Sequence, residues 1–157
     1  MPTRISTLLL FTLLSVAANA NPLAPFERLI GGKWVIVDYS YQRFHWGPGK
    51  HSVQARGYSI ENGEEALTST GFWYWDPEEN AIVGVHSAAD MQVNLFKYRT
   101  HFEGDTMVNE LKSFGDSGAA TYMEYWEFTD VDTYQWRLVE KGTDKPIMHG
   151  AFKRLAE

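Results

Sequence analysis

The sequence contains no cysteine among its 157 residues, and basic residues are few. The absence of cysteine excludes disulfides, thiolate metal ligands and a thiol nucleophile, so packing alone must stabilise the fold. The 14 Lys and Arg residues are outnumbered by 20 Asp and Glu residues, and they form no cluster. Binding along a phosphate backbone needs clustered positive charge, so we expect no nucleic-acid partner.

No apolar run is long enough to span a bilayer. The run at residues 5–16 is shorter than the roughly 20 residues that a spanning helix needs. Arg4 precedes it, and Ala18-Asn19-Ala20 follows as a small-residue cleavage site. Residues 1–20 are therefore predicted to be a secretory signal peptide. We expect residues 21–157 to be an exported single domain, periplasmic or extracellular, with no stable membrane span after cleavage.

Aromatic and β-branched residues are abundant, with six Trp, eight Tyr and nine Phe. Only residues 21–30 show helical spacing, and Gly31-Gly32 would end that helix. The rest of the chain is predicted to form short strands separated by turn residues. Strands are predicted at residues 33–44, 52–60, 66–75, 81–87, 93–102, 106–114, 119–128, 133–141 and 147–154.

The predicted connections are short, which favours antiparallel pairing between consecutive strands. An open meander of this size would leave two exposed edges, whereas closure removes them. The sequence therefore predicts an all-β fold: a single antiparallel up-and-down (meander) β-barrel of about eight to ten strands with a short N-terminal helix.

The two ends of the predicted barrel resemble the calycin superfamily, which includes the lipocalins. Gly32-Lys33-Trp34 opens the first strand, and Arg154 lies in the last. In that family a Gly-x-Trp packs under a basic residue at the barrel floor, an arrangement that stacking and hydrogen bonding explain. The resemblance makes Trp34 and Arg154 the expected structural floor.

The chain looks most similar to uncharacterised exported bacterial calycin-like proteins. Residues 29–34, 72–77 and 102–106 carry this likeness, whereas Val131 stands where lipocalins carry a Tyr after Thr129-Asp130. The resemblance implies a barrel with an internal pocket, often for an apolar small molecule, without implying a particular ligand.

Strand alternation from Trp34 and Arg154 predicts which other side chains point inward. The interior set includes rings that either line a pocket or simply fill the core. Phe72 and Tyr74 lie on the opposite face of their strand, which would need cover from the N-terminal helix or from a partner in a homodimer. The candidate ligand-binding residues are Trp73, Trp75, His86, Tyr122, Glu124, Trp126, Trp136 and Phe152.

Glu124 is the strongest carboxylate candidate. If it points inward between Tyr122 and Trp126, its pKa is raised, which suits a general acid or a hydrogen bond to a ligand. A register shifted by one residue would instead place Met123 and Tyr125 inside. Asp38 shares a predicted face with Trp34 and presents the same two alternatives.

The five histidines are not spaced as metal ligands, so no metal site is expected. His86 either lines the pocket or ends its strand in solvent. His149 lies where nitrobindin-like haem barrels, which the chain also resembles, carry an axial ligand. Alternation turns His149 outward unless Gly150 forms a bulge, so we expect no cofactor, with haem as the alternative.

The sequence identifies no reaction. It contains no Ser-His-Asp order, phosphate-binding glycine loop or nucleophile elbow. We therefore expect a binding protein for an apolar or aromatic small molecule. The alternative from another class is a hydratase or isomerase that uses Glu124 or His86 on a lipophilic substrate.

Overall fold

The computed structural model describes residues 21–89 and 91–156. Within them lie ten strands and two short 3₁₀ helices, Ala24–Leu29 and Pro48–Lys50. The strands are β1 Lys33–Val37, β2 Ser40–Trp46, β3 Ser52–Glu61, β4 Glu64–Asp76, β5 Ala81–Ala88, β6 Val93–Glu103, β7 Thr106–Gly115, β8 Gly118–Phe128, β9 Thr133–Glu140 and β10 Pro146–Leu155. The predicted signal peptide lies outside the described residues and stays a prediction.

Each strand pairs antiparallel with the next in the chain, and β1 also pairs with β10. Every strand thus has two neighbours, and the sheet closes into a barrel without a free edge. This confirms the predicted all-β meander barrel with its short N-terminal helix. No helix among the described residues is long and apolar enough to cross a membrane.

The predicted first strand, residues 33–44, is wrong because the structure divides it into β1 and β2. The chain turns at Asp38 and Tyr39, and the β1–β2 register shifts between Val35 and Val37. No glycine or proline marks this turn, so the β-rich composition conceals it. Asp38 is exposed in the turn rather than inside the barrel.

The N-terminal segment plugs one end of the barrel, which we term the closed end. Leu23, Phe26 and Leu29 are almost completely buried there. The Phe26 ring lies 5.6 Å from Trp73 and 5.2 Å from Phe102, centroid to centroid. The helix is therefore part of the core, where large rings contribute the most buried apolar area.

Trp34 and Arg154 meet at this closed end. The guanidinium carbon of Arg154 lies 4.6 Å above the Trp34 ring, and the indole nitrogen donates to the Leu29 carbonyl at 2.8 Å. Arg154 also donates to the carbonyls of Arg28 at 2.7 Å and Ile30 at 3.2 Å. This one side chain thus ties the last strand to the segment that precedes the first.

Gly32 makes this arrangement sterically feasible. Its φ of +70° favours glycine, and a Cβ there would lie 2.7 Å from the Leu155 carbonyl oxygen and 2.8 Å from Cγ of Arg154. The glycine of the Gly-x-Trp sequence is therefore required by backbone conformation and by the close approach of β10.

The helix does not cover the outer face of β4. Phe72 is 43% exposed and Tyr74 is 37% exposed, and their rings contact each other at 5.8 Å. Of the two covers considered for this face, the N-terminal helix is excluded because its apolar residues point into the barrel. A homodimer through this face stays a prediction.

Candidate ligand cavity

A cavity of about 390 Å³ occupies the barrel at the end opposite the plug, which we term the open end. Its walls come from strand segments near the starts of β2, β6 and β10 and near the ends of β5 and β9. Met91 and Met148, each more than half exposed, lie among its lining residues. The described lining residues are Gln42, Thr68, Ser69, His86, Ala88, Ala89, Met91, Phe96, Tyr98, Leu111, Glu124, Trp136, Leu138 and Met148.

Below the cavity, interlocking rings fill the barrel. Trp126 stacks on Tyr134 with centroids 5.0 Å apart, and Tyr134 stacks on Phe152 at 4.7 Å. Trp126 also contacts Phe44 and Trp73 edge-on. The barrel is thus packed solid towards the closed end and hollow towards the open end, so a ligand has access to one half only.

Glu124 lies at the boundary between the two halves. It is 6% exposed, and each of its carboxylate oxygens accepts a hydrogen bond from a neutral donor. Trp136 Nε1 donates to Oε1 at 2.7 Å, and Asn109 Nδ2 donates to Oε2 at 2.8 Å. Asn109 Oδ1 in turn accepts a bond of 2.6 Å from the Thr100 hydroxyl. The chain of bonds fixes the carboxylate position.

Burial raises the pKa of Glu124 above its ordinary value, and the nearby donors of Trp136, Asn109 and Trp126 oppose this rise. Burial dominates because no cationic side chain donates to the carboxylate in the described structure. A carboxyl group with a raised pKa is suited to exchange a proton or to bind a polar group of a ligand.

His86 lines the cavity from β5, which is separated from β8 by two strands. Its ring lies 6.2 Å from Trp73 and 6.4 Å from Tyr98, edge to face in both cases. Burial lowers the pKa of His86 from 6.5 to about 4, so the imidazole is neutral at physiological pH. Its buried Nε2 has no hydrogen-bond partner in the described structure, which is an unusual state for a buried polar atom.

The structure brings three of the predicted ligand-binding residues to the cavity and leaves five elsewhere. His86, Glu124 and Trp136 line it. The other five point into the barrel but do not line the cavity. Four of them lie nearer the closed end than the cavity does, and Tyr122 lies nearer the open end. Trp73, Trp126 and Phe152 belong to the buried core, Trp75 packs against that core, and Tyr122 is partly buried on the Glu124 side of β8.

The structure decides whether the side chains of Glu124 and His149 point into the barrel or away from it. Glu124 faces inward, whereas its neighbours Met123 and Tyr125 do not line the cavity. β10 keeps a regular register with β9 from Met148 to Lys153, so Gly150 forms no bulge. His149 is consequently exposed on the outer surface, as alternation predicts.

Other cavity residues were not singled out from the sequence. Phe96, Tyr98 and Leu111 alternate inward on β6 and β7, so strand periodicity could have found them. Asn109 and Thr100 also alternate inward, but only the structure shows that they support Glu124. Among the described residues, no three His, Asp or Glu side chains converge as a metal site would require.

Comparison with known proteins adds no assignment. No protein-family model matches the chain, and no curated protein matches it with significant sequence similarity.

Proposed function

We propose that this protein is an exported calycin-like barrel that binds an apolar or aromatic small molecule in its open-end cavity. The observation that carries the proposal is the division of the barrel interior: a solid aromatic floor lies beneath a hollow that contains a buried carboxylate. A barrel that served only as a scaffold would gain stability by filling this space, because empty volume forfeits packing.

The size and chemistry of the cavity support this function. Its volume of about 390 Å³ lies in the lower part of the range for small-molecule pockets, roughly 300–1,000 Å³. Its walls are mostly apolar and aromatic, with a few polar groups at fixed positions. Such a lining provides affinity through burial of apolar surface and orientation through a few hydrogen bonds.

The closed end supports the calycin-like part of the proposal. The stacking of Arg154 on Trp34, together with its bonds to backbone carbonyls, is the floor arrangement that the resemblance implies.

Export rests on the sequence of residues 1–20. Its test is N-terminal sequencing of the secreted or periplasmic protein, for which we expect a mature chain that begins at Asn21.

Binding is testable by titration with an uncharged, environment-sensitive naphthalene dye. We expect a saturable rise in dye fluorescence with the wild type. Ala88→Trp should abolish it, since Ala88 lines the cavity and the added indole would occupy the space. Ser87→Trp is the matched control because the neighbouring Ser87 is exposed on the outer face. Dye binding that survives Ala88→Trp would place the binding site elsewhere.

Native mass spectrometry of the protein purified from its own host provides a second test. A retained small molecule would reveal the chemical class of the natural ligand. The same spectrum would show whether the protein is a homodimer.

An enzyme is the second candidate function, because two groups whose pKa values are shifted in opposite directions line the same cavity. Burial raises the pKa of Glu124 and lowers that of His86, a pattern found at acid–base sites. A hydratase or isomerase acting on a lipophilic substrate would need Glu124 or His86 for proton transfer. If Glu124→Gln and His86→Phe both bind a substrate and turn it over at the wild-type rate, this candidate is excluded.

Haem binding remains the alternative from the sequence resemblance. His149 is on the outer face and does not reach the cavity. Absence of a Soret band after haem addition would exclude this alternative.

A further inference from the structure

The charge within the cavity is unbalanced. Glu124 is the one acidic side chain among the described lining residues, and none of those residues is Lys or Arg. His86 does not supply a positive charge at neutral pH, since burial disfavours its protonated form. A buried carboxylate without a counter-ion is costly, and a cationic ligand would remove that cost.

Glu124 retains the capacity to bind such a ligand. Each of its oxygens accepts one hydrogen bond from the protein, whereas a carboxylate offers about four acceptor positions. Asn109 and Thr100 do not line the cavity and support the carboxylate from behind, whereas Trp136 donates to it from the cavity wall. The carboxylate is therefore held in place before a ligand arrives, which reduces the ordering cost of binding.

The surrounding walls also suit a cation. Phe96, Tyr98 and Trp136 line the same cavity as Glu124. Aromatic faces attract ammonium groups, and the attraction is stronger in a desolvated site than on a surface. Apolar side chains such as Leu111 and Leu138 complete the lining and would contact the hydrocarbon part of the ligand.

We propose that the cavity selects an apolar or aromatic amine, whose protonated nitrogen donates a hydrogen bond to Glu124 while its hydrocarbon part fills the space between the aromatic walls. This inference rests on the proposed small-molecule binding function and specifies the ligand class. A bound ammonium would lower the pKa of Glu124 and hold it ionised.

Three probes of nearly equal size and different charge test the inference: phenylbutylamine, phenylbutanol and phenylbutyrate. Their affinities are measured by calorimetry and by displacement of the uncharged naphthalene dye. We expect the amine to bind about tenfold to a hundredfold more tightly than the alcohol, since a hydrogen bond to a charged group is the stronger kind. The carboxylic acid should bind most weakly because its charge repels that of Glu124.

Glu124→Gln should remove the preference for the amine, so that the alcohol and the amine bind with about equal affinity, because Gln has a similar shape but carries no charge. Glu127→Gln is the matched control. It removes the same charge from the same strand, but at an exposed position. The wild-type comparison of the three probes stands on its own if Glu124→Gln does not fold.

The outcomes separate the inference from the function on which it rests. Alcohol binding as tight as amine binding, or an amine preference that persists in folded Glu124→Gln, would overturn the amine inference and leave the binding function intact. Dye binding that the amine cannot displace would also overturn the amine inference and leave the binding function intact. If neither the dye nor any of the three probes binds, the proposed function itself fails.

Discussion

The indole of Trp136 donates to Oε1 of Glu124 over 2.7 Å, joining β9 to β8 inside the barrel. The two residues are not direct cross-strand partners: Glu124 pairs with Leu138, and Trp136 pairs with Trp126. Long side chains can meet along this diagonal. Trp136 thereby contributes both a cavity wall and a hydrogen bond to the carboxylate.

Trp136→Phe should lower the free energy of unfolding by about 1.5–3 kcal/mol, since it deprives a buried acceptor of its partner. It should also raise the pKa of Glu124 further, because a donor to the ionised form is lost. Urea denaturation measures the first effect, and carboxyl NMR titration measures the second. Trp46→Phe is the control, since its indole donates to Glu27 in an exposed pair. Equal losses in both variants would contradict a special role for burial.

Arg154→Lys should destabilise the barrel by about 2 kcal/mol, because an ammonium cannot reproduce the stacking and the several directed bonds of a guanidinium. The lost contacts include the stack on Trp34 and the bonds to the carbonyls of Arg28 and Ile30. Lys153→Ala changes the exposed neighbour and should have little effect. Thermal and urea unfolding measure both variants; an Arg154→Lys protein as stable as the wild type would refute the role assigned to the guanidinium.

Gly32→Ala should be more destabilising than Gly31→Ala by at least about 1 kcal/mol, owing to overpacking. Both glycines have positive φ, so both substitutions carry a similar conformational cost. The added methyl group meets β10 only at Gly32 and has open space at Gly31. Chemical denaturation of the two variants isolates the contact. Identical stabilities would show that β10 can move away at no cost.

His86→Phe should reduce the decrease in the free energy of unfolding that occurs when the pH is lowered from 6.5 to 4. The pKa of His86 lies at about 4 in the folded state against 6.5 ordinarily, so its contribution is complete above pH 6.5 and is lost as the pH falls towards 4. The loss amounts to at most about 3 kcal/mol. The raised pKa of Glu124 acts in the opposite direction, with stability that declines as the pH rises, and it is common to both proteins.

The measurement for His86→Phe is the free energy of unfolding at several pH values between 4 and 7. His101→Gln serves as control because that histidine is exposed on the outer surface. A wild-type slope that persists in His86→Phe would assign the acid sensitivity to other groups.

The sequence predicted the barrel and its inward faces because both depend on local periodicity. Alternation along a strand determines the face of each side chain, and short turns force neighbouring strands to pair. For Glu124 and His86, alternation left an inward position as one of two alternatives, and the structure places both in the cavity lining. The turn at Asp38 escaped prediction because no glycine or proline interrupts the β-rich sequence there.

The depth of each side chain within the barrel could not be read from the sequence. Trp73 and Trp136 both point inward, yet Trp73 is packed against Phe26 while Trp136 lines the cavity. Depth depends on strand tilt, on register and on the space that the N-terminal plug occupies. These are long-range properties, and periodicity carries no information about them.

The bond from Arg154 to the Arg28 carbonyl spans 126 positions of the chain. Contacts of such separation form slowly, because the intervening chain must first be brought together. Closure of the barrel therefore waits until the C-terminal residues have been synthesised. Loss of the last few residues would open the seam between the first and last strands and leave two unpaired edges available for aggregation.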